Sequence, residues 1–249
     1  MCGLATVLST ASIVNEAMLR AAIDAIRHRG PDDEGIWINA TNTCGLGHVR
    51  LSIIDLKGGR QPLSSSDGRI RAIVNGEFYG YEAIRRDFEK SGYPFQSQSD
   101  SEILIPLYLK YGEACLEHLR GEFSFVLWDE NKRELFIARD RFGIKPLFYS
   151  EYNDAFFVAS EIKALLAMGI PARWDTQTVI EDELHYRDCH STLFRDVKCV
   201  PPGYSMTVKH GRIQARRYWD FNYPKRQELK REYSDREYIY RFQELLTNA

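Results

Sequence analysis

The sequence predicts an α+β fold in which two antiparallel sheets lie face to face with helices on their outer sides. Short strand-like runs such as GLATVL and AFFVAS recur along the 249 residues, and only a few amphipathic helices separate them. A composition of 44% hydrophobic and 12% aromatic residues can bury a large core. Many short strands with peripheral helices are typical of a layered body.

The elements follow in order from local signals. GLATVL predicts a first strand, and NEAMLRAAIDAIRHRG predicts a helix that ends at Gly30, with Pro31 beyond it. RIRAIVNGEF predicts a strand that breaks at Asn75 and Gly76. GYEAIRRDFEKSG and DSEILIPLYLKYG predict two further helices, the second with Asp100 as its N-cap. EFSFVLWDENKRELFIARD predicts a hairpin, and AFFVAS and YSMTV predict two more strands.

The composition changes after about residue 215. RRYWDFNYPKRQELKREYSDREY is charged, rich in tyrosine and interrupted by a proline, which is typical of a linker. It leads into REYIYRFQELLTNA, in which four apolar residues share one helical stripe: Ile239, Phe242, Leu245 and Leu246. We expect residues 1–218 to form one domain and residues 219–249 to be a linker and the opening helix of a further domain. The alternative is a helix that packs back on the first domain.

Composition excludes several functional classes. A net charge of −2 and short, broken basic clusters give no electrostatic basis for binding nucleic acid. We expect neither a membrane span nor a secretory signal, and we expect the protein to be cytoplasmic. Five scattered cysteines without a CxxC pair favour a reducing compartment over a disulfide framework or a zinc site. The short cluster of His185, Cys189 and His190 has no second ligand pair, so we expect no metal there.

The chain opens with MCG, which places a cysteine at position 2. If the initiator methionine is removed, Cys2 carries both a thiol and a free α-amine. Because an α-amine titrates near ~7.7 to 8.0 and a thiol near ~8.5, the amine can serve as the base for its own thiol. The alternative interpretation is that Cys2 is a small hydrophobic residue at the start of a strand.

Seven sequence blocks decide between these interpretations. In their order and spacing they resemble the glutaminase half of asparagine synthetases, which are class II glutamine amidotransferases of the N-terminal-nucleophile fold. The blocks are MCGLATVLS, RHRGPDDEG, LGHVRLSIIDLKGGRQPL, IVNGEFYGYEAIR, SDSEILIPLY, GEFSFVLWDENKRELFIARDRFGIKPLFY and FVASEIKALL. The resemblance runs from Met1 to about Tyr218. It implies a four-layer αββα sandwich of two antiparallel sheets flanked by helices.

The resemblance implies a role for each residue that matches the family pattern. Cys2 is the implied nucleophile, and the Asn75 amide and the Gly76 N–H form the implied oxyanion hole. Arg50 holds the α-carboxylate of glutamine, which a guanidinium can grip with two hydrogen bonds, and Asp100 pairs with the ammonium. Four further residues are expected to line or support the pocket: Leu51, Ile53, Ile54 and Glu77.

The implied activity is hydrolysis of glutamine to glutamate and ammonia. In the family, a C-terminal synthetase domain that uses ATP and Mg²⁺ captures the ammonia, and its pyrophosphate loop resembles SGGxDS. That motif does not occur in these 249 residues, so we expect no cofactor in this chain and a synthetase partner in cis or in trans. A homodimer is left open. The alternative function is a catalytically silent module that scaffolds or regulates an ammonia-using synthetase.

Two departures from the family pattern leave the amide acceptor open. Gly80 stands where asparagine synthetases often have asparagine, and residues 172–204 resemble the family only loosely. The acceptor is therefore either aspartate or a specialised metabolite.

Overall fold

The computed structural model describes residues 1–11, 13–185, 188–226 and 233–247. The chain divides into two compact units, Met1–Trp219 and Asp220–Ala249. The first unit contains two six-stranded sheets with helices, and the second contains one described helix.

The first sheet is built from β1 (Gly3–Ser9), β2 (Asp33–Ile38), β3 (Cys44–Arg50), β8 (Phe148–Tyr152), β9 (Ala155–Ala159) and β10 (Lys198–Cys199). Its order is β10-β8-β9-β1-β3-β2, and neighbouring strands are antiparallel. β1 lies between β3 and β9, and all seven of its residues are buried. Because Gly3 pairs with Val49, the residue before β1 lies beside the end of β3. The central strand therefore fixes the position of Cys2.

The second sheet is built from β4 (Leu63–Ser64), β5 (Ile70–Phe78), β6 (Gly121–Asp129), β7 (Glu134–Arg139), β11 (Tyr204–Lys209) and β12 (Arg212–Arg217). Its order is β12-β11-β7-β6-β5-β4, again with antiparallel neighbours. β6 and β7 form the predicted hairpin, and a polar tip joins them at residues 130–133. The two sheets confirm the predicted α+β class.

The helices of the first unit are α1 (Glu16–Ala25), α2 (Tyr81–Lys90), α3 (Leu104–Tyr111), α4 (Ile162–Ala167) and α5 (Thr176–Glu183). Three 3₁₀ segments accompany them: Arg27–Arg29, Asp100–Ile103 and Gly112–His118. The predicted first helix therefore ends at Ala25, and a 3₁₀ turn completes the approach to Gly30. Asn15 caps α1 by accepting a hydrogen bond from the Met18 N–H at 2.9 Å.

The core has three apolar layers, and β1 contributes to two of them because it is buried on both faces. Leu4 and Leu8 point into an apolar cluster that lies between the two sheets and includes Val126 of β6. Ala5 and Val7 point the other way, into a cluster with the apolar faces of α1 and α4. A third cluster joins the outer face of the second sheet to α3. This alternation gives the helix–sheet–sheet–helix layering that the family resemblance implied.

Two local predictions were wrong. The strand predicted to break at Asn75 and Gly76 is continuous, because Gly76 has no Cβ, adopts a φ of +145° and still pairs with Phe123. The predicted Asp100 cap is replaced by Ser99, whose hydroxyl accepts a hydrogen bond from the Ser101 N–H at 3.3 Å. The Asp100 carboxylate instead accepts from the Phe78 N–H at 2.8 Å, across to β5.

The second unit contains α6 (Asp235–Thr247), which begins with a capping box. The Glu237 carboxylate accepts hydrogen bonds from the N–H and hydroxyl of Ser234, at 2.8 and 2.7 Å. The predicted stripe is exposed, since each of its four side chains keeps more than half of its surface accessible: Ile239, Phe242, Leu245 and Leu246.

Across the described residues, no helix combines the length and apolar character needed to span a membrane.

Candidate active site

Cys2 lies at the wall of a cavity, directly before β1. Because β1 pairs with β3, the Cys2 side chain lies against the residue that follows β3. Its Sγ accepts a hydrogen bond from the Leu51 N–H at 3.4 Å and donates to the Leu51 carbonyl at 3.7 Å. The thiol is thus held by backbone groups of a residue that the sequence had placed in the same site.

Burial raises the pKa of the Cys2 thiol. The Leu51 N–H, the positive amino terminus and Arg50 all favour the thiolate and oppose this shift in part, whereas Asp100 adds to it. A thiol in such a setting needs a base to become a nucleophile. Met1 also lines the cavity, so the amino terminus is close to the sulfur.

The cavity measures about 300 Å³ and brings together all nine residues that the sequence singled out: Cys2, Arg50, Leu51, Ile53, Ile54, Asn75, Gly76, Glu77 and Asp100. One part of the lining comes from the first sheet and from the segment that follows β3, and another part comes from β5. Ile53 stands at the mouth with 63% of its surface exposed. The roles assigned to these residues remain predictions, but their placement in one cavity is a structural fact.

The Asn75 side chain is fully buried and faces the cavity. Neither its Oδ1 nor its Nδ2 has a hydrogen-bond partner among the described residues. Buried amides are ordinarily paired, so an unpaired one in a cavity wall is a donor available to a ligand. Asn75 and Gly76 lie inside β5, opposite Ser124 and Phe123, and are not a hairpin turn.

Arg50 is buried and anchored on one side. Its Nη2 donates to the carbonyls of Ile54 and Asp55 at 2.9 and 2.7 Å, which leaves the rest of the guanidinium edge for a ligand. The Ile54 carbonyl is thus already paired with Arg50. The anchoring fixes the direction in which the guanidinium faces the cavity.

Asp100 supplies a negative charge to the same cavity. Burial raises the pKa of its carboxyl, while hydrogen bonds from the Phe78 and Ser101 N–H groups and the Ser99 hydroxyl act in the opposite direction. A nearby cation would favour the ionised form. Arg50 and Asp100 together fit the α-carboxylate and α-ammonium of a free amino acid.

Sequence reasoning missed six residues in the cavity wall besides Met1: Gln61, Val74, Ser99, Ser101, Glu122 and Lys145. The clearest omission is an ion pair, with Lys145 Nζ 3.2 Å from Glu122 Oε1. Lys145 lies in the block DRFGIKPLFY, in which the Asp140 carboxylate accepts hydrogen bonds from the backbone of a turn. The signal that was overlooked is that Lys145 is the one charged residue between Gly143 and Tyr149, in an otherwise uncharged run.

Three polar contacts hold β5 just before Asn75. Gln61 Oε1 accepts from the Val74 N–H at 2.6 Å, and Gln61 Nε2 donates to the Val74 carbonyl at 3.2 Å. His48 Nε2 lies 3.0 Å from the same carbonyl, and burial lowers the pKa of His48 to about 4. The imidazole is therefore neutral near pH 7, with its proton on Nε2. Gln61 and His48 therefore hold the backbone of the strand that carries the amide of Asn75.

No group of three or more His, Cys, Asp or Glu side chains within the described ranges is arranged to hold a metal. The cluster of His185, Cys189 and His190 spans residues 186 and 187, which lie outside the described residues. Outside this cluster, His28 lies with its Nε2 3.0 Å from Glu161 Oε1.

Comparison with known proteins places this geometry in a family. The profile of the glutamine amidotransferase domain matches residues 1–219. Amidase chry2 of Gibberella zeae is 43% identical over 208 residues, which cover 83% of this chain and 31% of that protein. Asparagine synthetase [glutamine-hydrolyzing] 3 of Bacillus subtilis is 36% identical over 203 residues, 79% of this chain and 33% of that protein. The chain spans about a third of the length of these curated relatives.

A solved structure supports the fold. The glutamine phosphoribosylpyrophosphate amidotransferase of B. subtilis matches with a TM-score of 0.66 and 19% identity, over 88% of this chain and 49% of that chain. At that identity the likeness concerns the architecture of the two sheets and their helices.

Proposed function

The chain belongs to the glutamine amidotransferase domain family, and from that premise we propose that it hydrolyses glutamine to glutamate and ammonia with Cys2 as the nucleophile. The observation that carries the proposal is the fully buried Asn75 amide, which faces the cavity of Cys2 with no partner among the described residues. Such an amide fits the carboxamide oxygen of a substrate whose carbon the sulfur attacks.

The reaction requires that Met1 be removed, because an amine bound in a peptide bond is no base. The α-amine of Cys2 then accepts the thiol proton, and the thiolate adds to the carboxamide carbon. The carbonyl electron pair moves to the oxygen, where the Asn75 amide and the Gly76 N–H donate to it. Collapse breaks the C–N bond, and the proton on the amine leaves with the nitrogen as ammonia. Water then cleaves the γ-glutamyl thioester to glutamate and restores the thiol.

Two charged side chains in the cavity wall, Arg50 and Asp100, are proposed to recognise a free amino acid. Arg50 binds the α-carboxylate with the guanidinium edge that Ile54 and Asp55 leave open. Asp100 pairs with the α-ammonium, which also compensates for the burial of its charge. A simple amide without these two charges would leave both groups unpaired, so the site favours glutamine over acyl amides.

The ammonia is proposed to pass to a synthetase domain that uses ATP and Mg²⁺, in cis or in trans. Support comes from glutamine-hydrolysing asparagine synthetases among the relatives, each about three times as long as the matched region. The acceptor is proposed to be aspartate or a specialised metabolite, since two relatives at 43% and 44% identity are named amidases and not asparagine synthetases. We also propose a cytoplasmic location, for which five scattered cysteines without a CxxC pair are typical. The silent-module alternative is not favoured, since the nucleophile and both charged groups are present.

An intact-mass measurement first confirms that Met1 is absent from the purified chain. The release of glutamate from glutamine by that chain then tests the proposal. We expect Cys2→Ala to remove nearly all activity, because the covalent route is lost, while the thermal transition is preserved. Cys189→Ala is the matched control, since this cysteine is exposed and does not line the cavity. Glutamate release by Cys2→Ala above about 5% of the parent rate would contradict the assignment.

A further inference from the structure

Two glycines distort the β5–β6 pair beside the proposed oxyanion site. Gly76 of β5 and Gly121 of β6 have φ values of +145° and +148°, which residues with a side chain rarely adopt. A Cβ on Gly76 would collide with the Glu122 carbonyl oxygen, and a Cβ on Gly121 would collide with the Glu77 carbonyl oxygen. The two contacts are reciprocal, so each strand approaches the other through a glycine.

The pair between these glycines consists of two acids. Glu77 and Glu122 are directly opposite each other in the register of β5 and β6, and both line the cavity. Like charges in opposite positions destabilise a sheet. Two carboxylates in the cavity wall would also destabilise negative charge that develops on a substrate oxygen nearby.

Lys145 neutralises one of these acids. Its Nζ lies 3.2 Å from Glu122 Oε1, and only 9% of the lysine side chain is exposed. Among the residues that line the cavity, Arg50 and Lys145 are the basic ones, and Arg50 is assigned to the α-carboxylate. Lys145 is therefore the cation that pairs with the acids of β5 and β6 in the cavity wall.

The backbone of Lys145 is fixed by its own loop. Asp140 is fully buried and accepts hydrogen bonds at 3.0 Å from the N–H groups of Phe142, Ile144 and Lys145. Arg139 Nε donates to the Lys145 carbonyl at 2.7 Å. This loop directs the lysine toward Glu122, whereas a lysine on a free surface has no set direction.

From this arrangement we propose that the Glu122–Lys145 ion pair positions the oxyanion site. Lys145 holds Glu122, whose carbonyl oxygen lies against Gly76, and so keeps the distorted β5 segment aimed at the cavity. The same contact leaves Glu77 as the single unpaired acid of the cross-strand pair. The kinetic consequence rests on the proposed glutamine hydrolysis, whereas the effect on the backbone does not.

Removing one partner of the Glu122–Lys145 ion pair should lower kcat more than removing both. Lys145→Met leaves Glu122 as an unpaired acid opposite Glu77, beside the site where the oxyanion forms. Glu122→Gln combined with Lys145→Met leaves neither charge, so the repulsion is absent. The double variant separates loss of charge balance from loss of the lysine side chain itself.

The kinetic arm measures glutamate release by the full chain. We expect Lys145→Met to lower kcat about tenfold or more while KM changes less than about threefold, because the pair acts on the transition state. The double variant should recover part of kcat. Lys132→Met is the matched control, since Lys132 pairs with Asp129 at the other end of β6 and does not line the cavity. Unchanged kcat, or a change confined to KM, would overturn the proposal.

The structural arm follows amide hydrogen exchange and needs no activity. Lys145→Met should accelerate exchange at Gly76, Glu77 and Phe78 by about tenfold relative to Lys132→Met. Exchange rates equal to those of the parent would overturn the proposal. If the parent releases no glutamate, the proposed function fails, and the exchange result still decides whether the ion pair positions this segment.

Discussion

At the scale of single residues, Asp100 shows how a buried carboxyl group is held in the cavity wall. The carboxylate lies in the cavity wall, where burial raises its pKa and hydrogen bonds from Phe78, Ser101 and Ser99 act against the shift. The net direction is upward, so the ionised group is less stable there than in water. An incoming ammonium would favour the charged form. In its proposed role as the partner of a substrate ammonium, Asp100 would favour binding at the expense of the stability of the free domain.

Asp100→Asn should raise the KM for glutamine about tenfold or more, because the ammonium loses its counter-charge. It should also change how stability depends on pH. A folded-state pKa above the unfolded value means that the folded protein binds this proton more tightly, so stability falls as pH rises from the unfolded pKa to the folded one. The variant should therefore gain stability relative to the parent between pH 4 and pH 7. Thermal unfolding at both values checks this.

A loss of relative stability on going from pH 4 to pH 7 would contradict that sign. Comparing two pH values cancels any constant effect of the amide, which can still accept the hydrogen bond from the Phe78 N–H.

The candidate residues were found from sequence because each lies in a block with a recognisable pattern, as Arg50 does in GHVRLSI. Glu122 and Lys145 were missed for a physical reason. Each has a sufficient local explanation, one as the start of a hairpin strand and the other as part of a turn. Their contact exists only after β6 and the loop following β7 have come together. Side-chain pairing of this kind leaves no periodic signal in the chain.

At the scale of elements, β5 shows where local signals fail. An Asn-Gly pair inside an apolar run is a strong turn signal, and it predicted a break. The strand continues because β6 pairs with it from Ile70 to Phe78, so tertiary hydrogen bonds outweigh the local preference. The glycine is used for close approach, since the Glu122 carbonyl occupies the place of a Cβ. By contrast, the hairpin and the helices were predictable because their periodicity agrees with their packing.

Gly76→Ala tests this use of glycine. The added Cβ meets the Glu122 backbone oxygen, and φ must leave its value of +145°, so we expect a loss of roughly 2 to 4 kcal/mol in the free energy of unfolding. Gly92→Ala is a matched control, because Gly92 also has a positive φ but has no atom within 4 Å of the added Cβ. Backbone strain alone should lower the free energy of unfolding of Gly92→Ala by roughly 1 kcal/mol.

Urea unfolding of both glycine variants measures the difference. Equal losses would mean that the collision with β6 contributes nothing to the loss of stability. In that case only the positive φ requires a glycine at position 76.

At the scale of the whole chain, the candidate site depends on both sheets. Cys2 and Arg50 come from the β1 and β3 side, whereas Asn75 and Gly76 come from β5. The cavity therefore exists only when the two sheets are assembled on their shared core. Sequence could place the site residues on separate strands, but their convergence follows from the stacking of the sheets.

The second unit, Asp220–Ala249, presents an apolar stripe that the sequence had indicated. Ile239, Phe242, Leu245 and Leu246 of α6 are 59 to 70% exposed. Burying four such side chains would contribute on the order of 6 to 12 kcal/mol before ordering costs. An exposed stripe of this size favours association. In the purified 249-residue chain we expect copies of the chain to cover this stripe for one another.

Replacing the four stripe residues with serine should therefore abolish concentration-dependent self-association of the 249-residue chain, with helicity reduced only slightly. Light scattering across a concentration series measures the mass, and circular dichroism follows the helix. Gln243→Ser with Glu244→Ser is the matched control, because it changes exposed polar positions of the same helix and should leave association intact. A parent chain that stays monomeric at every concentration, or a fourfold variant that associates as the parent does, would show that the stripe drives no association.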